Sequence, residues 1–268
     1  MPELFDLLIK WWKQMLAVMI TALVIAGLIV FLQAPQFLSI ATAVPASAYS
    51  ADRARVFNEN VDGLYSNLGS PEDLDMMLGT ARLDTLYLAI TDQFNLFDHY
   101  KITADEEAPR LKAARKLKKN SSIIKGDFGE LRVKVWDTDK HLAPQLANAL
   151  LEKLQAIHRD LQSAGNVTTL KSLRESRIRL QLQADSLNEE AKRTTLLNRI
   201  TEYDKLIGEY QLMVDSKPPV LLVVERASAS LKPDRPRKFE ILLGTFVLSF
   251  LFALLTAGIL NRRQTVHS

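Results

Sequence analysis

The chain has 268 residues, a formal net charge of +3, and 47% hydrophobic residues. This small basic balance does not indicate a protein that binds nucleic acid. The absence of cysteine excludes disulfides, thiolate metal ligands and a cysteine nucleophile. The apolar residues are concentrated near both ends of the chain and the charged residues lie between them, which leaves roughly 200 residues for soluble structure with one sizeable core.

The first apolar segment, residues 15–32, carries no charge and follows Lys10, Trp11, Trp12 and Lys13. Tryptophan at headgroup level with lysine just outside it is typical of a membrane interface. The alternative is a cleaved signal peptide, but this apolar run is longer than such peptides usually have. We therefore predict a retained transmembrane helix over residues 14–33.

The second apolar segment, residues 241–260, is also free of charge. As a helix it would be about 30 Å long, which matches the hydrocarbon thickness of a bilayer. A helix in the core of a large protein is the alternative, and Arg262 and Arg263 directly after the segment favour the membrane. We predict a second transmembrane helix over residues 239–260.

The charges that flank the two helices predict their orientation. Lys10 and Lys13 precede the first helix, and Arg262 and Arg263 follow the second. Because positive flanks stay in the cytoplasm, both termini, residues 1–13 and 261–268, are expected there. The cations before the second helix oppose this orientation, but they end a very long loop and count for less. Residues 34–238 are then a domain on the opposite side of the membrane.

Four apolar runs predict strands in this domain. Residues 37–44 form a strand directly after the first helix, and residues 122–124 and 131–136 flank a glycine-containing turn as a hairpin. Residues 220–224 are apolar without interruption, which is typical of a central strand buried on both faces. Pairing this strand with the first one gives a small, mixed, membrane-proximal sheet.

Several helices are predicted between the strands. One covers residues 52–68, and another begins after a cap at Ser70 and carries an apolar stripe at residues 83–97. Two more cover the basic residues 109–119 and residues 141–162. The basic helix is expected to be a solvated face, with an acidic polymer or lipid headgroups as the alternative ligand. Asp139 is predicted to cap the last helix, in preference to a metal site with Asp137. His141 and His158 are expected on the surface.

A single long helix is predicted over residues about 168–213, where the only glycine is Gly208 and no proline occurs. We expect it to project from the sheet, changing its packing partner near residues 192–195. Five residues at 3-4 spacing form the candidate contact with another copy: Leu196, Ile200, Tyr203, Ile207 and Tyr210. The alternative is a helix that packs only within the core. Two short helices folded flat would contradict this arrangement.

The predicted fold is therefore an α+β membrane protein, in which two transmembrane helices flank an extracytoplasmic domain with a small sheet and a long helix.

Two passages of this chain resemble segments of a known protein family. One is the strand from Leu131, the turn Asp137-Thr138-Asp139 and the helix with Ala147-Asn148-Ala149. The other is Val223-Val224-Glu225-Arg226-Ala227, followed by the juxtamembrane residues Lys232, Pro233, Arg235, Pro236, Arg237 and Lys238. Together they resemble the chain-length determinant family of Wzz-type polysaccharide co-polymerases.

The resemblance implies a bacterial inner-membrane protein with its large domain in the periplasm. It implies a non-enzymatic regulator of the length of O-antigen, capsule or exopolysaccharide, which acts as a ring-like homo-oligomer with a polysaccharide polymerase or exporter. The juxtamembrane residues would contact that partner or lipid headgroups, and direct contact with glycan stays open. The second passage has two prolines where the family often has more.

Other functions are weighed against this one. Some relatives carry a cytoplasmic tyrosine autokinase, but no G-x-x-x-x-G-K-[ST] loop occurs in this sequence, so an adaptor that activates a separate kinase is the alternative. A sensor would need an output domain larger than the two short cytoplasmic segments. No Ser/His/Asp set or metal cluster indicates an enzyme, and no cofactor is expected.

Overall fold

The computed structural model describes residues 2–46, 71–102, 108–186 and 189–266. The helix predicted over residues 52–68 and the cap at Ser70 lie outside them. The chain divides into two compact units. The helical-pair unit comprises Met1–Leu38, Asp137–Lys140 and Ser230–Ser268, and the α/β unit comprises Ser39–Trp136 and His141–Ala229.

The helical-pair unit is built from α1 (Pro2–Leu32) and α8 (Lys238–Val266). Both contain segments long and apolar enough to cross a membrane, Lys10–Leu32 and Lys238–Ile259. Only 11% and 17% of the most apolar stretch of each is buried within the protein. A core helix of a soluble protein would be covered by its own chain, so this outward-facing apolar surface is typical of helices that face lipid.

The two helices of this unit pack against each other as an antiparallel pair. Met15 of α1 is buried together with Ala253 and Ala257 of α8, and the small alanines let the helices approach closely. At one end of the pair, Lys10 Nζ donates a hydrogen bond to Asn261 Oδ1 at 3.1 Å. Residues from opposite ends of the chain therefore meet at the same level of the pair.

The α/β unit contains a four-stranded sheet and six helices within the described residues. In chain order they are β1 (Phe37–Pro45), α2 (Pro71–Thr80), α3 (Asp84–Gln93), α4 (Leu96–His99), α5 (Pro109–Lys119), β2 (Ser121–Lys125), β3 (Leu131–Asp137), α6 (Leu142–Asp185), α7 (Glu190–Ser216) and β4 (Leu221–Glu225). The first two residues of β1 and the last of β3 belong to the other unit. The strand order is β2-β3-β1-β4.

The sheet confirms two predicted pairings. β2 and β3 form the antiparallel hairpin, with Ile123 opposite Val133, and β1 pairs antiparallel with β4, with Val44 opposite Leu222. The sheet is a small antiparallel one, where the sequence predicted a mixed one. Alternation of apolar residues shows which face of a strand is buried but does not determine strand direction.

The prediction that residues 220–224 form a central strand is wrong. β4 lies at the edge of the sheet and pairs only with β1. Val220 and Leu221 are buried, whereas the side chain of Val224 is 64% exposed. A short apolar run indicates a strand but does not show how many neighbours the strand has.

The core of the α/β unit joins one face of the sheet to the helices. Leu131, Val133 and Val135 of β3 are fully buried, as the alternation predicted. The fully buried side chains of the helices include Leu86, Ile90, Leu117, Leu146, Leu150 and Leu154. The stripe predicted over residues 83–97 is split into α3 and α4, because Asn95 adopts a left-handed conformation with φ of 50°.

The prediction of one helix over residues 168–213 is wrong. α6 continues through Gly165 for 44 residues, about 66 Å, and α7 of 27 residues folds back along it. Hydrogen bonds from Arg174 to Gln211 and from Arg177 to Asp204 show that the pair is antiparallel. These two helices form a hairpin of long elements, which differs both from the predicted rod and from two short helices folded flat.

The sequence carries only weak local signals for where α6 ends and α7 begins. A glycine inside a helix costs only about 1 kcal/mol relative to alanine, so Gly165 does not end α6. The reversal after Asp185 contains neither glycine nor proline. Tertiary packing of α7 on α6 therefore determines where the chain turns.

Two further predictions at α6 are corrected. His141 occupies the N-cap position and no side chain caps the helix; Asp137 Oδ1 instead accepts a hydrogen bond from the Asp139 backbone N–H at 2.9 Å. His158 is buried, with Nε2 3.0 Å from Thr80 Oγ1. His141 is exposed, as predicted.

Candidate functional site

The juxtamembrane connector, residues 230–238, is hydrogen-bonded to Gln36, which lies between the end of α1 and the start of β1. Gln36 N–H donates to the carbonyl of Arg235 at 2.9 Å, and the Asp234 N–H donates to the carbonyl of Gln36 at 2.8 Å. Pro236 is joined to Arg235 by a cis peptide bond. The backbone that follows α1 is thereby held to the backbone that precedes α8.

The connector presents its cations to solvent. All four are exposed: Lys232, Arg235, Arg237 and Lys238. Arg237 Nη1 lies 3.3 Å from Glu240 Oε1, and Lys238 Nζ lies 4.4 Å from the centre of the Phe31 ring. Pro233 is exposed and Pro236 half-buried. Exposed cations beside the start of an apolar helix can contact lipid phosphates or an acidic partner surface.

A second feature, the Asn148 clamp, lies within the α/β unit. Asn148 Nδ2 donates to the carbonyl of Ala227 at 3.2 Å, and the Ala227 N–H donates to Asn148 Oδ1 at 2.9 Å. The primary amide thus pairs with one backbone residue in both directions, as a neighbouring strand would. The Ala227 side chain is buried, and both hydrogen bonds are partly buried.

Two other side chains hold the same segment. Ser39 Oγ donates to the carbonyl of Ser228 at 2.9 Å, and Gln155 Nε2 donates to the carbonyl of Leu221 at 3.1 Å. With Asn148, these residues bind the first residue of β4 and the segment that follows β4 to β1 and α6. The sequence pattern predicted no role for Asn148 and none for Gln155. Amide side chains on a buried helix face nevertheless indicate hydrogen bonds to the backbone of a neighbouring segment.

The structure also locates the five residues predicted to contact another copy. Ile200 is buried, and Leu196, Tyr203, Ile207 and Tyr210 are half-buried. α7 packs along α6, so the covered side of this seam faces α6 of the same chain. A contact between copies through these residues stays a prediction.

The other sides of the α6–α7 hairpin leave apolar side chains uncovered. Those that are exposed include Leu161, Val167, Ile178, Leu182, Leu197, Leu206 and Leu212. Single exposed apolar residues are ordinary on protein surfaces, but this set extends over most of the hairpin. It is a candidate surface for side-by-side contact.

The basic helix α5 is tied to α3 by ion pairs. Arg110 binds the carboxylate of Asp92 through two nitrogens, with Nε 2.6 Å from Oδ1. Lys118 Nζ lies 2.7 Å from Asp84 Oδ1. These hydrogen bonds hold the pKa of Asp92 and the pKa of Asp84 below the usual value of an aspartate. Two basic side chains of α5, Arg110 and Lys118, are thus paired with aspartates of the same chain.

Metal-ligating side chains are not clustered in the described part of the chain. Among residues 2–46, 71–102, 108–186 and 189–266, no group of three His, Asp or Glu side chains is placed to hold a metal ion. The aspartates Asp137 and Asp139 are joined by the backbone hydrogen bond described above.

No protein-family model matches this sequence, and no curated protein matches it. Among solved structures, the chain is similar to a full-length bacterial polysaccharide co-polymerase. The match covers 98% of this chain and 97% of the other, with 13% sequence identity and a TM-score of 0.40.

Proposed function

We propose that the chain is a non-enzymatic regulator of cell-surface polysaccharide length. The Asn148 clamp is the observation that carries this proposal. Its two reciprocal bonds join Ala147-Asn148-Ala149 to the end of Val223-Val224-Glu225-Arg226-Ala227, 79 residues further along the chain. These are the two passages that resemble the chain-length determinant family, and their contact gives the resemblance a physical basis in this fold.

The arrangement of the anchors supports a role at a membrane. α1 and α8 expose apolar surface along the lengths that could span a bilayer, and the α/β unit lies between them in the chain. Both spans begin at a cation: Lys10 favours cytoplasmic termini, and Lys238, which opposes them, ends a very long loop and counts for less. We infer a bacterial inner-membrane protein with cytoplasmic termini and a periplasmic domain, which works beside a polysaccharide polymerase or exporter.

Assembly of several copies is part of the proposal. The α6–α7 hairpin has a thin covered seam, and its exposed leucines are not covered by the described residues of one chain. Heterologous contacts between identical copies close into rings when the rotation between neighbours permits. Such a ring would bury these leucines and present many copies of the connector to a polymerase.

The functional test is the length distribution of the surface polymer. A deletion strain is expected to lose its modal length, and the wild-type gene should restore it. Asn148→Ala should restore it less well, because the segment after β4 loses two hydrogen bonds. An unchanged distribution in the deletion strain would exclude the proposal, and loss of tyrosine phosphorylation of a separate kinase in that strain would indicate the adaptor function.

The orientation is tested by cysteine labelling, because the natural chain has no cysteine. Ser186→Cys at the end of α6 and Glu3→Cys in α1 provide one position on each predicted side. In spheroplasts, a membrane-impermeant maleimide is expected to label the first variant and not the second. Labelling of Glu3→Cys alone would reverse the proposed orientation.

A further inference from the structure

A cavity of about 400 Å³ lies within the α/β unit, between the end of α2, α3 and the outer edge of β2. Its apolar part is lined by Leu78 and Ile123, among others, and three cations surround its opening: Arg82, Lys118 and Lys125. An apolar floor with a cationic rim suits a ligand that has both a hydrocarbon face and a negative group.

Two of the three rim cations are paired with aspartates, and among the described residues Arg82 is not. Lys118 pairs with Asp84 at 2.7 Å, and Lys125 with Asp75 at 3.6 Å. Neither aspartate lines the cavity. Within the described part of the chain, the exposed side chain of Arg82 makes no ion pair or hydrogen bond, so its guanidinium can take up a carboxylate with two parallel bonds.

The backbone of β2 offers further donors at this edge. Hydrogen bonds from Gly126 N–H to Glu130 and from Trp136 N–H to Asn120 lie at the two ends of the hairpin. They show which residues of β2 form hydrogen-bonded pairs with β3, because such pairs alternate along an antiparallel ladder with pairs whose backbone groups point away from the partner strand. The N–H and C=O groups of Ile123 and Lys125 therefore face away from β3, toward the free edge that lines the cavity.

We propose that this cavity binds a carboxylated sugar unit of an acidic glycan. Arg82 holds the carboxylate, Lys125 adds a second cation, and the C–H face of the sugar packs on Leu78 and Ile123. The choice of a sugar as the ligand rests on the proposed function. The carboxylate itself follows from the unpaired arginine and the apolar floor, since a bare inorganic anion would leave the floor unfilled.

The test measures binding of trigalacturonate to the full-length protein in detergent, by isothermal titration calorimetry at low salt. The methyl ester of the same trimer is the matched ligand, because it keeps the sugar and removes the charge. The ester is expected to bind at least about tenfold more weakly than the acid. Equal affinity for the two, or no binding of the acid up to about 10 mM, would overturn the proposal.

Variants locate the site. Arg82→Gln is expected to weaken binding of the acid at least about tenfold, whereas Lys171→Gln, which removes one exposed cation of α6, should leave it unchanged. If Arg82→Gln does not fold like the wild type in a thermal melt, Lys125→Gln takes its place and should also weaken binding. Unchanged affinity in the folded rim variant would overturn the site.

Inorganic phosphate is the last probe. Phosphate that competes with trigalacturonate at equal concentration would reassign the cavity to phosphate and overturn the sugar proposal. Failure here is distinct from failure of the proposed function, because the polymer length distribution of the deletion strain is measured without any reference to this cavity.

Discussion

The two ends of α6 differ in how far their leucine and isoleucine side chains are buried. In its first five turns, Leu146, Leu150 and Leu154 are completely buried among the sheet and its neighbouring helices. In its last three turns, Ile178 and Leu182 are 56% and 65% exposed. The same helix is thus part of a dense core at one end and is held by α7 at the other.

This contrast shows that leucine periodicity alone does not reveal burial. Both ends of α6 carry leucines at helical spacing, but among the described residues the sheet and the helices α2 and α3 cover the first end alone. The distal leucines therefore remain available to another surface. In the proposed assembly that surface is a second copy of the chain.

The largest expected effect comes from one substitution made at both ends of α6. Leu150→Ala should lower the free energy of unfolding by about 2–5 kcal/mol, because it leaves a cavity in a packed core. Leu182→Ala should lower it by less than about 0.5 kcal/mol in dilute detergent solution, where copies dissociate. Urea unfolding followed by fluorescence measures both, and equal losses would remove the contrast between the two ends.

The Asn148 clamp gives an intermediate effect. Asn148→Ala removes two partly buried hydrogen bonds and leaves the Ala227 N–H and C=O without these partners, which should cost about 1–3 kcal/mol of unfolding free energy. Asn148→Asp keeps the acceptor for the Ala227 N–H and loses only the donor. The same urea series should rank aspartate between asparagine and alanine, and an alanine variant as stable as the wild type would show that the clamp is not needed for folding.

The smallest expected effect concerns the ion pair between α3 and α5. The pKa of Asp92 is lowered in the folded chain by hydrogen bonds from Arg110, so the pair adds stability above the ordinary aspartate pKa. That contribution is lost as the pH falls through the lowered pKa. Between about pH 5 and pH 2, the melting temperature of the wild type should therefore fall slightly more than that of Asp92→Asn. Equal falls would mean that the pair is screened by solvent.

Much of the architecture follows from the sequence because it depends on strong, local patterns. Two uncharged runs predicted α1 and α8, and strict alternation from Leu131 to Val135 predicted the buried face of β3. The hairpin of β2 and β3 followed from the glycines of its turn, Gly126 and Gly129.

The features that the sequence could not predict depend on contacts between segments that are distant in the chain. Gly165 indicated the end of a helix that in fact continues, and the reversal after Asp185 has no glycine or proline to mark it. The edge position of β4 and the pairing of Asn148 with Ala227 depend on contacts between distant residues. The cavity behind Arg82 is formed by four elements and leaves no motif in the chain.

The mass of the detergent-extracted protein tests the central claim most directly, because side-by-side assembly is what the uncovered end of the hairpin is proposed to provide. The account predicts a mass several times that of the 30.2 kDa chain, with Leu182→Asp shifting the protein toward a single copy. A wild-type protein that runs as one copy at working concentration would contradict it.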